Sequence, residues 1–579
     1  MSAAIESALP EIDSPTLRRA PTLAETLLPW RNPVFRRFFR SRLRFRKAIF
    51  WYLLTLIVTT FVVSLGYTLQ INRSQPPQAA ARNLWISLLV IQGLILMVKG
   101  TGAVSAGLIQ DRIDRTLDYQ RLTPVSPLGN LVGYLFGLPV LEYAMFALTL
   151  PHLAFIAVIG NIPTGTLVSV YCAFFVCVVL YHTMGIAAGM VMRRWVLGNM
   201  LSMLLVLFVN LLLPSLVSRL GLGFFQYLSV WPVIGQKVLP VVGVTPSPGG
   251  NPFLSIFSDV PFYVWSFSPF TFTLLLQGAL ILTFGVMAVR RWKSSTRHSL
   301  SKPYALAFLA GFVVLAIGNV WPFVTRAEPP PLPFPMQNTE TAVALVVGGL
   351  SYVYAYVVWI LCLLLFAIIV PSHQHYVRGI RRALKHGRSS AGRWEDDSAS
   401  LAVYAIFAAV AVGGLAILLR EVSAAGFFET LGEPIRSWRL SLTFALVLFY
   451  SALLFQTLGL RRSVLVVLLV WWVPILAMIV LAATTESFGK LHAAVQSLSP
   501  LALLFMSGVA KPAPGSEVID EERAALALGA DIGLAVLLIQ TAALWIKWRR
   551  HVASYDALCR SQSELERVPT PSGNAPLPA

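Results

Sequence analysis

Twelve stretches of about 20 or more predominantly apolar residues follow one another along this chain, and that repetition constrains the fold more than any motif does. A stretch that long matches the hydrocarbon thickness of a bilayer when coiled as an α-helix, whose internal hydrogen bonds satisfy the backbone away from water. The stretches run Phe50–Ile71, Leu84–Leu108, Leu131–Gly160, Leu167–Met192, Val196–Leu220 and Phe270–Val289, then Tyr304–Val324, Thr341–Val370, Leu401–Leu419, Leu440–Leu460, Val464–Thr484 and Ala524–Ile546. Charged residues make up only 12% of the 579 positions, about half the usual share, so most of the exterior must face lipid. The expected fold is an all-α polytopic membrane bundle of about twelve transmembrane helices.

The net charge of +19 could signal nucleic-acid binding, but the basic residues cluster beside the apolar stretches. They include Arg36–Lys47, Arg112–Arg121, Arg290–Lys302, Val377–Arg388 and Lys547–Arg550. With twelve spans and both termini inside, every cluster falls on the cytoplasmic side, and no nucleic-acid partner is implied. Acidic segments such as "REVSAAGFFETLGEP" and "GSEVIDEER" then lie outside. The four cysteines form no C-x-x-C pair and read as small hydrophobes.

The spans divide into two six-helix halves, 49–293 and 303–550. Each half has a long external loop before its last helix, 221–269 and 487–523, with the related phrases "SFSPF" and "SLSPL". Each last helix stops at a Trp-and-basic cluster, "RRWK" and "KWRR". Residues 1–30 and the Pro-rich tail within 551–579 carry no apolar pattern and are expected to be cytosolic and mostly disordered.

Before the first span, 31–48 reads as an amphipathic elbow helix in the headgroup plane. Asn32 is its N-cap and Pro33 its first residue, with Arg36, Arg37 and Arg40 opposite Val34, Phe35, Phe38 and Phe39. After the second span comes the polar loop 108–130, whose "DRIDRTLDYQRL" predicts a short charged helix carrying Ile113 and Leu117, ended by Pro124 and Pro127. A charged rod fixed at both ends to membrane helices suits a lever. Its value depends on a docking partner.

At these residues the chain resembles the permease subunit of type-2 ATP-binding-cassette exporters. That family has an elbow pattern "NP…R.E.R.R.R" and a later "E…GTLE.L..TP.S", against "RNPVFRRFFRSRLRFRK" and "QDRIDRTLDYQRLTPVSP" here. Asp111 and Asp114 stand where acids are expected. Thr116, Leu117 and Asp118 match "TLE", while Leu122, Thr123, Pro124, Ser126 and Pro127 match the proline corner. Arg115 replaces the usual glycine. The likeness covers about the first 140 residues by motif and extends to Lys293 by topology; the second-half loop "VRGIRRALKHGRSSAGRWEDDSAS" does not share it.

The resemblance implies that Asp111, Arg112, Asp114, Arg115, Thr116, Leu117, Asp118, Arg121, Thr123 and Pro124 form an ATPase-coupling loop. It further implies a separate cytosolic ATPase, two copies for a fused permease pair, an exported substrate and a bacterial cytoplasmic membrane. ATP would act through the partner, because no G-x-x-x-x-G-K-[ST] loop occurs here and "FGKLH" is too short. No cofactor, metal or catalytic set is expected in this chain: H-E-x-x-H and G-x-S-x-G are both absent.

Polar residues within the apolar stretches include Gln92, Lys99, Glu142, His152, His182, Asn210, Gln277, Asp531 and Gln540. Lys99 and Asp531 are close enough to span ends to snorkel. Glu142, nearer the middle of its span and after Pro139 in "GLPVLEYAMF", is either a translocation-path residue or a paired packing residue. His152 and His182 read as hydrogen-bonded core histidines, and "HQHY" at His373 as headgroup-facing. An ion-gradient transporter, a non-transporting assembly subunit and a membrane-embedded enzyme are the competing classes.

Overall fold

The structure is a computed structural model that describes residues 28–123, 125–192, 194–213, 222–244, 259–294, 297–325, 339–388, 391–424, 437–484, 495, 497–508 and 517–567. Pro124, the first 27 residues, parts of both external loops and the last 12 residues of the tail therefore lie outside the described residues. The chain is an all-α multi-pass membrane protein. Among the described residues, 11 helices are long and apolar enough to cross a bilayer, and Arg462–Ala477 is a shorter apolar helix. That segment covers 464–477 of the expected span Val464–Thr484.

Two compact units form. The first comprises 1–212, 227–258 and 269–296; the second comprises 213–226, 259–268 and 297–579. These units differ in their bounds from the two expected halves. Two pieces of the first external loop fold with the second unit. The hairpin β1 (Val260–Phe262) and β2 (Trp265–Phe267) shows why. Its turn residue Tyr263 donates its backbone N–H to Gly318 O at 3.0 Å and its hydroxyl to Val314 O at 3.1 Å.

The first unit opens with α1 (Pro33–Arg42). Asn32 caps it by accepting from Val34 N at 2.9 Å and Phe35 N at 3.3 Å. The elbow is shorter than 31–48, because the chain turns at Leu43–Arg44 and α2 (Phe45–Asn72) begins. Next comes α3 (Pro77–Ile113), 37 residues long with a π turn at Leu94–Lys99. It outruns the expected Leu84–Leu108 at both ends. Arg115 then takes a left-handed conformation, φ 57°, and α4 (Thr116–Leu122) follows. The charged rod is therefore two pieces. The break turns Ile113 out to 53% exposure while Leu117 stays buried.

The expected third span is also two helices, α5 (Pro127–Gly137) and α6 (Val140–Ile159). Pro139 lies in the break; it has no N–H to donate and its ring obstructs the preceding turn. Only α6 is long enough to span. Glu142 accordingly sits in the first turn of α6, not in the middle of a span. The unit continues with α7 (Thr164–Val191), α8 (Trp195–Leu212, ending in a π turn from Phe208) and α9 (Pro269–Lys293).

At one end of this unit α1, α3, α4, α5, α7 and α9 share a single apolar core. Val34, Phe38, Leu108, Leu117, Tyr134, Leu138, Ile186 and Trp292 pack within it. Gly133 and Gly137 let α1 lie directly on α5. A Cβ at Gly133 would meet Val34 Cβ at 2.7 Å, and one at Gly137 would meet Phe38 Cδ2 at 2.9 Å. Asn32 completes the crossing by donating to Gly129 O at 2.7 Å.

The second unit contains α10 (Lys302–Thr325), α11 (Thr339–Ile369), α12 (His373–Lys385), α13 (Leu401–Ala424) and α14 (Ser437–Leu458). Then come α15 (Leu460–Val466), continued through a π turn at Val467–Trp472 into Val473–Thr484, α16 (Pro500–Gly508) and α17 (Glu517–Arg567). The fifth helix of each half thus carries a π turn. The last helix corrects the disordered tail, since it runs 51 residues to Arg567. Its extension has a surface to rest on. Tyr555 stacks near His373, with ring centroids 5.5 Å apart, and Tyr376 hydrogen-bonds Asp556 at 3.4 Å.

Candidate functional site

The polar loop and the elbow meet in a network of arginines. Arg37 of α1 donates to both carboxylate oxygens of Asp111, at 2.8 and 2.9 Å. Tyr134 of α5 donates its hydroxyl to Asp111 Oδ2 at 2.5 Å. Burial, reinforced by the Asp111 carboxylate, pushes the Tyr134 phenol well above its ordinary range, so it stays a donor. Tyr134 sits edge-on between Phe38 and Trp292, at 5.1 Å from each. One carboxylate therefore joins three helices.

Two further arginines cap helix ends. Arg112 donates to Met190 O and Met192 O, at the C-terminus of α7. Arg121 of α4 donates to Arg291 O and Trp292 O of α9, both at 3.1 Å. The last carbonyls of a helix lack intrahelical donors and carry the negative end of its dipole, so a guanidinium satisfies both needs there. Arg121 also pairs with Asp118 at 2.6 Å. The short α4 is consequently tied to α9, and the end of α3 to α1, α5 and α7.

Most of the remaining loop residues are exposed. Asp114 accepts from Gln110 at 3.1 Å and is exposed, as is Arg115. The Asp118 side chain is 65% exposed. Tyr119 and Leu122 are also exposed, and Thr123 closes α4 by donating to Gln120 O at 2.7 Å. Thr116 is half-buried and Leu117 buried. In the elbow, Pro33, Arg36 and Arg40 are exposed, and Arg36 donates to Trp30 O at 2.7 Å. The face left free thus mixes charge with apolar Tyr119 and Leu122, a composition suited to another protein surface.

A second cluster lies in the membrane-spanning part of the same unit. Lys99, the last residue of the π turn, donates to Glu142 Oε1 at 2.7 Å. Its ammonium also lies 4.2 Å from the centroid of the Trp51 ring. Glu142 is buried, and its Oε2 makes no hydrogen bond. Beside it, His182 hydrogen-bonds Leu96 O at 3.0 Å, a π-turn carbonyl, and Tyr143 at 3.4 Å. Gln92 joins Thr149 at 2.9 Å and Tyr171 at 2.6 Å. His152 pairs with Thr60 at 2.9 Å. Asp531 is paired with Arg439.

Sequence reasoning had singled out Asp111, Arg37, Lys99 and Glu142 without joining any two of them. For the intramembrane pair a signal existed. Lys99 and Glu142 are opposite charges in neighbouring apolar stretches, and each is costly there alone. For Arg112 and Arg121 no signal existed, since their partners are backbone carbonyls. Among the described residues, no three His, Cys, Asp or Glu side chains converge as a metal site. The chain matches no family model, no curated protein and no solved structure.

Proposed function

We propose that this chain is the membrane-spanning permease subunit of an ATP-driven exporter of the type-2 ATP-binding-cassette class. The observation that carries the reading is the fastening of α3–α4 to α1, α5, α7 and α9, with Asp118, Tyr119 and Leu122 left outward. A push on α4 reaches the end of α9 through Arg121. Through Asp111 and Arg112 a movement of α3 reaches α1, α5 and α7. Charged and apolar groups on α4 dock a cytosolic ATPase, two copies serving the two halves, and ATP is bound by that partner. The setting is a bacterial cytoplasmic membrane with both termini inside.

An ion-gradient transporter is the runner-up, and the Lys99–Glu142 pair is what favours it. That class places coupling charges near the bilayer midplane. Here Glu142 is in the first turn of α6, and Trp51 is the fourth residue of the span Ala48–Asn72, so the pair lies near one membrane face. The experiment is gentle purification from native membranes with mass spectrometry of co-purifying chains. A stoichiometric protein with a phosphate-binding loop, whose hydrolysis depends on this chain, is expected. Its absence under conditions that preserve other membrane complexes refutes the exporter reading.

A further inference from the structure

In the second unit α13 packs against α14. A groove of about 560 Å³ opens between them, lined by Ala416, Leu419, Arg420, Ser423, Ala424, Trp438 and Ser441. Among the described residues the polar groups there have no partner: Arg420 is exposed and makes no ion pair or hydrogen bond with them, and neither do the hydroxyls of Ser423 and Ser441. The indole of Trp438 stands 64% exposed beside them. Among the described residues no carboxylate lines the groove, and the nearby Arg439 is already neutralised by Asp531. The floor and one wall are apolar, from Leu419, Ala416 and Ala424.

The level of these groups in the membrane is set by helix length. The 24 residues of α13 rise about 36 Å, against a hydrocarbon layer of about 30 Å. Arg420 is in its last-but-one turn and Trp438 in the first turn of α14, so both stand at the headgroup layer, where Trp and Arg are favoured. Ile417, one turn earlier and 49% exposed, continues the apolar flank towards the bilayer interior.

From this we infer that the α13–α14 groove is a phospholipid site. The lipid phosphate is held by Arg420 with Ser423 and Ser441, and an acyl chain lies over Ala416 and Leu419. A guanidinium binds phosphate by paired charge-assisted hydrogen bonds, and the two hydroxyls can donate to its remaining oxygens. An apolar groove leading from that point distinguishes a lipid from free phosphate. The assignment does not depend on the exporter reading.

The test uses the full chain, delipidated in detergent and titrated with phosphatidylglycerol, with bound lipid counted by native mass spectrometry. Wild type should retain one lipid well above the general background. Arg420→Gln should weaken it by about tenfold or more, the scale of a lost charge-assisted contact. Ala416→Phe should weaken it with Arg420 intact, by filling the floor. Diacylglycerol with the same chains should bind no better than to Arg420→Gln, and millimolar inorganic phosphate should not displace the lipid. Wild-type retention by Arg420→Gln overturns the proposal. So does equal binding of diacylglycerol, or saturation by inorganic phosphate alone. Because Arg420 is exposed and unpaired among the described residues, its replacement should leave the fold intact, which an unchanged melting temperature verifies.

Discussion

Asp111→Ala is the perturbation that most directly probes the arginine network. It removes the shared acceptor of Arg37 and Tyr134. Tyr134 is fully buried, so its hydroxyl is left without a partner at a cost of about 1–3 kcal/mol. The Arg37 side chain is 42% exposed, and screening by water limits the loss of its pairing to about 1 kcal/mol. Together the change should loosen α1 from α3 and α5 by about 2–4 kcal/mol, a roughly 30- to 1,000-fold rise in local opening. Hydrogen exchange over Pro33–Arg42, read by mass spectrometry, measures that rise. Asp118→Ala is the matched control. Its carboxylate is mostly exposed, so exchange over α1 should stay at the wild-type rate. Under the exporter reading, Asp118→Ala instead weakens ATPase association. Tyr134→Phe combined with Asp111→Ala should cost less than the sum of the two, because they share one hydrogen bond. Unchanged exchange in Asp111→Ala, or equal opening in Asp118→Ala, would refute the assignment of Asp111 as the internal tie.

Two further outcomes are expected. Glu142→Gln should destabilise the first unit by roughly 2–3 kcal/mol, since it leaves the Lys99 charge a quarter exposed with no counter-ion, whereas Lys99→Met with Glu142→Gln should recover most of that loss. Unfolding in mixed micelles reads both, and a double variant no better than the single one would show that the two residues do not act as a pair. Arg115→Gly should stabilise the α3–α4 turn by about 0.5–1 kcal/mol, because φ 57° strains a side-chain-bearing residue and not glycine. Slower proteolysis or exchange at Asp114–Leu117 is the readout, and faster cleavage would contradict it.

Apolar periodicity and length alone determined the all-α polytopic class with about twelve spans, and local capping marked the start of the first helix. These depend on the match of about 20 residues to a bilayer and on local capping by Asn32 and Pro33, both written in consecutive residues. Arg115 occupies a left-handed geometry that glycine favours. What lay beyond the sequence was every pairing across helices. Pro139 divides the third span, although Pro151 is accommodated within α6. Local sequence does not separate the two, because a helix interior tolerates proline only where packing compensates. Asp111 is an internal tie to Arg37, 74 residues away, a pairing that no local pattern announces. Arg112 and Arg121 engage main-chain carbonyls, which carry no residue signature. The groove at Arg420 is lined by residues of both α13 and α14, which the sequence does not place side by side. Charge, length and hydropathy are properties of a segment. The partner of a buried charge is a property of which segments the fold brings within about 3 Å.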